Sequence, residues 1–315
     1  MSKIVCLGEA MVELSGARGA WNVGYGGDTL NTAIHLARAG HDVAYMTALG
    51  TDAFSDGMRS AWAAEGIDCG LVLSHPARQA GLYAITTDAG GERSFTYWRE
   101  TSAARTLFEL EAAKAAMKRA EQADLLCFSL ISLAILPAHG RQDLLGLATR
   151  VKARGGLVAF DGNYRPRLWE SDEEARELRD LALAVSDIGL PTLDDEKLMN
   201  RSAPDAAAQG ETLKPQQVAD HWAERGCGEV VVKLGEAGCL LPDGRIVPVP
   251  TRLHPVDTSG AGDAFNGGYL AARMNGAAIA DAAAAGHALA GWNVMRKGAI
   301  PPVDADAPYR CFAKR

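Results

Sequence analysis

The sequence predicts an α/β fold with a doubly wound, mostly parallel sheet flanked by helices, and a small β-stranded lid. Three observations support it. Short apolar segments alternate with longer amphipathic ones along the chain. The short segments are apolar throughout, which is typical of strands buried on both faces. One β-rich hairpin interrupts the alternation. With 315 residues, of which 48% are hydrophobic, the chain can bury a core that needs no metal or disulfide.

The elements follow one another in strand-then-helix order. We expect strands at Ile4–Leu7, Val43–Ala48, Leu125–Ser129, Leu157–Asp161, Ile188–Leu190 and Val230–Leu234. Apolar residues spaced by three and four predict helices at Asn31–Ala39, Ala53–Glu65, Glu109–Gln122, Arg141–Arg154, Asp172–Val185 and Pro215–Arg225. This order is typical of a parallel sheet in which each strand returns through a helix.

Two segments depart from this order. Between Gly81 and Trp98, two β-rich runs surround a turn at Asp88–Gly91, which predicts a hairpin. The glycine-rich stretch Val12–Gly27 is expected to be irregular. We expect both to form a lid, about residues 12–30 and 81–103, inserted into one domain of residues 1–315. It would cover the carboxyl edge of the sheet, where doubly wound folds bind ligands; a surface hairpin without a role is the alternative.

Charge and cysteine usage limit the partners and the compartment. The chain has 32 basic and 39 acidic residues and a net charge of -7, which argues against a nucleic-acid partner or an anionic membrane surface. The six scattered cysteines are typical of a reducing compartment. The most apolar stretch, Leu125–Leu136, is shorter than the about 20 residues of a membrane span. Without a signal-peptide pattern at the start, we expect a cytoplasmic protein.

The run from His254 to Gly268 carries the most chemical information. Small residues at 259–262 precede a helical pattern, so backbone amides at a helix start would form an anion hole. Asp263 lies beside it and could take a proton from an attacking hydroxyl group. A dinucleotide fingerprint is an alternative, but the third glycine of that motif is missing. A simple helix cap is another.

The run DTSGAGDAFNGGYL resembles the C-terminal signature of the ribokinase-like (PfkB) carbohydrate kinases. The run GGDTLNTA resembles their N-terminal signature and departs from it at Thr29. The resemblance implies a ribokinase-like fold and phosphorylation of a sugar hydroxyl group by ATP with Mg²⁺. It makes Asp263 the catalytic base, with the amides of Gly260, Ala261 and Gly262 as the anion hole.

The same resemblance suggests the nucleotide and metal residues. Val231–Gly238 is similar to the strand and turn beside the nucleotide. The implied nucleotide contacts are Asn163, Arg165, Lys233, Gly235, Gly238, Ser259, Gly260 and Gly262. Where the family often has an N-x-x-E motif for the metal, this chain has Thr192 and, at the matching acid position, Asp195. Whether Asp195 or Glu196 acts on the metal through water stays open.

Two arginines bear on the substrate. Arg99 and Arg165 are expected at the ligand edge, and a guanidinium group suits a carboxylate or a phosphate; surface salt bridges are the alternative. The runs GGDTLN, TYWR and FDGNYRPRLW resemble the branch of the family that acts on 2-keto-3-deoxygluconate. This implies a sugar-acid site of Gly26, Gly27, Asp28, Thr29, Leu30, Asn31, Tyr83, Tyr97, Trp98, Arg99, Arg165 and Asp263. Arg99 would hold the carboxylate, and the 6-hydroxyl group would lie near Asp263.

Other interpretations remain open. A neutral-sugar kinase of the fructokinase or ribokinase type is the runner-up, followed by a silent sugar- or nucleotide-binding regulator and an NAD-dependent oxidoreductase. Gly162, which replaces a frequent proline, is expected mainly to loosen its turn. The tail from Val303 is expected to fray. An exposed lid edge could pair two or more copies of the chain into a homodimer or a higher homo-oligomer.

Overall fold

The strands are short, and each of the six predicted apolar runs contains at least part of one. A computed structural model describes residues 3–17, 20–87, 93–201 and 213–311. The strands are β1 Lys3–Leu7, β2 Met11–Ala17, β3 Ala20–Gly26, β4 Asp42–Leu49, β5 Ile67–Asp68, β6 Val72–Ser74, β7 Gly81–Thr87, β8 Arg93–Trp98, β9 Leu125–Ser129, β10 Leu157–Asp161, β11 Ile188–Gly189, β12 Glu229–Val230, β13 Val232–Lys233, β14 Cys239–Leu240 and β15 Ile246–Val247.

The central sheet confirms the expected architecture. Its strand order is β12-β11-β10-β9-β1-β4-β5, with β6 also beside β4, and its paired strands are parallel. Along β1, Val5 and Leu7 enter one apolar core whereas Ile4 and Cys6 enter another. Because successive strand residues point to opposite faces, the sheet is buried on both sides.

The helices cover both faces of this sheet. They are α1 Asp28–Arg38, α2 Ala53–Ala64, α3 Ala113–Ala120, α4 Leu130–Ile135, α5 Ala138–Ala153, α6 Asp172–Ala184, α7 Leu193–Met199, α8 Pro215–Glu224, α9 Ala261–Met274 and α10 Ile279–Val294. Short 3₁₀ helices lie at Cys69–Leu71, Ala103–Glu109, Pro166–Leu168, Gly235–Ala237 and Pro308–Cys311. In the described ranges, no helix has both the length and the apolar character needed to cross a membrane.

The lid is a separate sheet with the strand order β3-β2-β7-β8. The hairpin prediction is confirmed by the antiparallel pairing of β7 with β8, although the turn at Asp88–Gly91 lies outside the described residues. The expectation that residues 12–27 are irregular is wrong, because they supply most of β2 and β3, which pair antiparallel. The two strands contain three glycines, Gly16, Gly24 and Gly26, which obscured the alternation of apolar and polar residues. At Gly16, an added Cβ would lie 2.0 Å from the backbone oxygen of Ala20.

Two further expectations need correction. The single strand expected at 230–234 is divided: β12 belongs to the central sheet, while β13 pairs antiparallel with β14 and keeps one parallel bridge, from Lys233 to Thr192. The tail does not fray as far as it is described. Tyr309 is buried, and its hydroxyl group lies 2.8 Å from His35 Nδ1.

Candidate active site

A cavity of about 1060 Å³ lies at the carboxyl edge of the central sheet, between the lid and the start of α9. The inner face of the lid, the ends of β10 and β13, and the first turns of α1 and α9 form its walls. Its polar lining includes Glu13, Asp28, Asn31, Tyr83, Tyr97, Asp161, Asn163, Arg165, Asp195, Lys233, Arg252 and Asp263. This is the ligand edge that the fold class predicts.

The glycine-rich run forms one wall of the cavity. Gly260 has a φ of 68°, and an added Cβ would lie 2.8 Å from Ala299, so glycine is required there on both counts. The carboxylate of Asp257 holds this loop, accepting the N–H groups of Ser259 at 2.9 Å and Gly298 at 2.8 Å. Helix α9 begins immediately afterwards, at Ala261. The first-turn amides and the helix dipole therefore face the cavity, which suits an anion.

Asp263 lies in the first turn of α9 and is 9% exposed. Burial, together with the nearby charge of Asp28, raises its pKa to about 8. A hydrogen bond of 2.8 Å from Asn31 Nδ2 to Asp263 Oδ2 opposes this rise, as does the charge of Lys233. A carboxyl group whose pKa lies near neutrality is well matched to general-base catalysis.

Two residues that the sequence reasoning missed bind the predicted Lys233. Its ammonium group donates to Asp161 Oδ1 at 2.9 Å and to Asn266 Oδ1 at 3.1 Å. Asn266 Nδ2 in turn donates to Asp161 Oδ2 at 2.9 Å. Both belong to motifs identified in the sequence, FDGNYR and DAFNGG, but no local pattern indicated that they meet.

The two acids left open for the metal face different directions. Asp195 lines the cavity 3.5 Å from Arg165 Nη1, and burial raises its pKa to about 6. Glu196 is 2% exposed and turns into the core, where it accepts hydrogen bonds from Arg179 at 2.7 Å and Trp222 at 3.0 Å. Glu196 is therefore not placed to act on the metal as predicted, because both of its carboxylate oxygens already have hydrogen-bond partners in the core.

Trp222 also corrects the interpretation of Gly162. A Cβ added to Gly162 would lie 2.8 Å from two atoms of the indole ring of Trp222, which is fully buried and stacks on Phe160. Gly162 therefore makes room for this ring beneath the loop that carries Asn163. Close packing, rather than a looser turn, accounts for the glycine.

On the lid side, Tyr83 and Tyr97 line the cavity and stack with ring centroids 6.0 Å apart. The Tyr83 hydroxyl group donates to Glu13, a cavity carboxylate that the sequence reasoning missed. Gly26 lies under this ring, since an added Cβ would be 2.3 Å from the Tyr83 hydroxyl oxygen. A Cβ added to Gly27 would likewise lie 2.3 Å from the backbone oxygen of Glu9.

Several residues predicted for the sugar acid lie away from the cavity. Thr29 and Leu30 are buried behind it, with the Thr29 hydroxyl 3.1 Å from that of Tyr45. Trp98 is 58% exposed and does not line the cavity. Arg99 does not line it either: Nη2 donates to Glu9, and Nε is buried with no partner in the described part of the chain.

Toward α10 the lining of the cavity is largely apolar, with His287 and Arg252 among the apolar side chains. Leu253, Pro255, Ala288, Gly291 and Val294 line it. Gly235 and Gly238 reach it from the turn after β13, both with positive φ. Such a lining suits the flat face of a nucleotide base.

Comparison with known proteins agrees with this geometry. Residues 1–306 match the pfkB family carbohydrate kinases. The 2-dehydro-3-deoxygluconokinase of Dickeya dadantii (strain 3937) is 42% identical over 96% of this chain and 97% of its own length. The enzyme of that name from Escherichia coli (strain K12) is 41% identical over 96% and 98%. The fructokinase of Vibrio cholerae O395 in its fructose, ADP and calcium ion bound form superimposes with a TM-score of 0.78 at 25% identity, covering 95% of this chain and 94% of that one.

The fold and the cavity define a ribokinase-like carbohydrate kinase, in which a lid and an anion hole face one another across a ligand cavity. The chain belongs to the pfkB family of carbohydrate kinases.

Proposed function

We propose that the protein transfers the γ-phosphoryl group of ATP to the 6-hydroxyl group of 2-keto-3-deoxygluconate. The product is 2-keto-3-deoxy-6-phosphogluconate. The observation that carries this proposal is Asp263, a buried carboxyl group at the first turn of α9, beside an anion hole and opposite the lid. The named relatives at about 40% identity direct the choice of sugar.

Asp263 acts as the base. It accepts the proton of the 6-hydroxyl group while the oxygen forms a bond to the γ-phosphorus. The bond between that phosphorus and the β,γ-bridging oxygen breaks, and its electrons leave with ADP. Asn31 holds Asp263 Oδ2 in place, and the amides of Gly260 to Gly262 absorb charge on the moving phosphoryl group. The lid excludes water, which would otherwise compete as acceptor.

The cavity fits the Mg²⁺ that such kinases use. Mg²⁺ binds through one or two carboxylates, substrate phosphates and several waters. Asp195, which lines the phosphate side of the cavity, is the residue that would hold it, through water. When bound, the ion supplies charge neutralisation for the phosphates.

We assign the sugar-acid carboxylate to Arg99. Arg165 lines the cavity beside Asp195 with its side chain 50% exposed, so part of its guanidinium group is available to the substrate and the phosphates. Arg99, at the base of the lid, keeps an unpaired Nε among the described residues, and closure of the lid would bring it to the carboxylate. Gly27, Asp28, Asn31, Tyr83 and Tyr97 then surround the sugar chain, with Gly26 against the Tyr83 ring and with Thr29, Leu30 and Trp98 outside the cavity.

A kinase assay across sugars tests this function. ADP release would be measured with 2-keto-3-deoxygluconate, 2-keto-3-deoxygalactonate, fructose and ribose. We expect the first sugar to give the highest kcat/KM, and Asp263→Asn to lower turnover at least about 100-fold with binding nearly intact. Arg99→Gln should lower the preference for acids over neutral sugars. Preference for fructose or ribose would instead support the neutral-sugar kinase.

We also propose a cytoplasmic homodimer formed through the lid. On the lid face that points away from the cavity, Trp21 is 44%, Val23 60% and Trp98 58% exposed. Large apolar side chains left in water on one sheet face favour a second copy of the chain. Light scattering after size exclusion should give twice the mass of the chain, and Val23→Lys should halve it. A monomeric wild type contradicts the proposal.

A further inference from the structure

Lys233 differs from the other cations of the cavity in its burial. Its side chain is 9% exposed, whereas those of Arg165 and Arg252 are 50% and 83% exposed. Among the described residues that line the cavity, it is therefore the buried cation. A buried ammonium group is costly unless it is paired, so its surroundings show what keeps it charged.

A closed ring of hydrogen bonds holds this ammonium group. Lys233 Nζ donates to Asp161 Oδ1 and Asn266 Oδ1, and Asn266 Nδ2 donates to Asp161 Oδ2. The carboxylate of Asp161 balances the charge. The side-chain amide of Asn266 bridges the two charged groups, because its oxygen accepts from Lys233 and its nitrogen donates to Asp161. An ammonium group has three N–H donors, and two are used here. In the described ranges, no protein acceptor takes the third.

Lys233 lies close to the place where the proposed function puts the transferred phosphoryl group. Its Nζ is 3.7 Å from the place that a Cβ on Gly262 would occupy, so it lies against the anion hole. The same charge lowers the pKa of Asp263 and of Asp195. Lys233 thus lies among the base, the anion hole and the acid on the metal side.

We propose that Lys233 is a catalytic residue whose third N–H donates to the γ-phosphoryl group while it moves from ATP to the sugar. The inference rests on the kinase function proposed above and deepens it. Charge is spread over the three outer oxygens of that group during transfer. A donor that is already fixed by Asp161 and Asn266 needs no reorganisation to meet this charge. The proton of the sugar hydroxyl goes to Asp263, so Lys233 acts only as a hydrogen-bond donor.

Nucleotide binding separates this role from a structural one. Lys233→Met removes the charge at similar volume, and titration calorimetry would compare ADP with the non-hydrolysable analogue AMP-PNP, each with Mg²⁺. We expect the affinity for AMP-PNP to fall at least about 10-fold and that for ADP less than about 2-fold, since only the analogue carries a γ-phosphoryl group. Lys152→Met is a matched control, because it breaks a lysine–aspartate pair of 3.0 Å with Asp187 outside the cavity. It should change neither affinity.

A double variant tests whether the ion pair alone matters. Lys233→Met leaves Asp161 buried without its cation, so the melting temperature should fall. Adding Asp161→Asn should recover the melting temperature, while kcat stays lower by about 100-fold, the usual scale for one lost donor to transition-state charge. Recovery of kcat in the double variant, or an equal loss of affinity for both nucleotides, overturns the proposal. Absence of turnover by the wild type on any sugar would instead contradict the kinase function, and the nucleotide comparison would still test Lys233.

Discussion

Asn31 should control the pH dependence of the enzyme through Asp263. In the structure, Asn31 Nδ2 donates to Asp263 Oδ2 at 2.8 Å, and this bond holds the pKa of Asp263 below the value that burial alone would give. Only the ionised carboxylate can accept a proton. The activity of the free enzyme should therefore rise with pH through the pKa of Asp263, about 8. Asn31→Leu removes the donor at similar volume and should move this rise to higher pH.

The size of the shift follows from the hydrogen bond. A bond to a charged group contributes about 1.5–3 kcal/mol, and one pKa unit corresponds to about 1.4 kcal/mol. The pKa of Asp263 should therefore rise by about 1–2 units. At pH 7 the ionised fraction should fall from about one tenth to about one hundredth or less, so kcat/KM should fall about 10- to 100-fold. Much of that loss should be recovered near pH 10.

The measurement is kcat/KM for the sugar acid from pH 6 to 10, read as ADP release. Asp263→Asn is the control, because its residual rate should show no rise near pH 8. Asn31 also lines the cavity, so the variant could lose sugar contacts by a factor that is independent of pH. If the variant is slower by the same factor at every pH and its midpoint stays within about 0.3 units, the argument for control of Asp263 is refuted.

Three further predictions concern stability. Asp263→Asn should stabilise the fold by roughly 2–5 kcal/mol near pH 8 and by little near pH 4. The reason is that the raised pKa makes ionisation of this carboxyl group oppose folding at every pH above its ordinary pKa. Urea unfolding that shows the same gain in stability at both pH values would contradict this. Gly162→Ala should destabilise by about 1–3 kcal/mol through contact with the Trp222 ring, and Trp222→Phe should remove most of that penalty; additive effects would argue against the contact. Tyr309→Phe should cost about 1–3 kcal/mol by leaving His35 Nδ1 unpaired, and a change below about 0.5 kcal/mol in urea would show that the bond does not matter.

Part of the candidate site could be predicted from the sequence, because its chemistry depends on residues that are neighbours in the chain. A left-handed position needs glycine, an anion hole needs small residues before a helix, and a base needs a carboxylate beside it. The run from Asp257 to Asp263 contains all three in sequence, so its place in the cavity was predicted. The alternation of apolar and amphipathic segments likewise predicted the parallel sheet and the edge at which the cavity lies.

The directions in which neighbouring side chains point could not be predicted from the sequence. Asp195 and Glu196 are adjacent acids in the first turn of α7, and successive helix positions point about 100° apart. Composition cannot say which of the two faces the cavity. Packing decides it, since Arg179 and Trp222 bind Glu196 in the core and Asp195 is left to the cavity.

The sequence by itself determined the fold class and the family, and it predicted a base and an anion hole, because each of these depends on patterns of residues close together in the chain. The tertiary structure decided what those residues touch. Lys233, Asp161 and Asn266 come from a strand end, a second strand end and a helix, and Arg99 is bound by Glu9 across the base of the lid. Such contacts join segments far apart in sequence, and only the packing of the sheet, helices and lid brings them within hydrogen-bond distance.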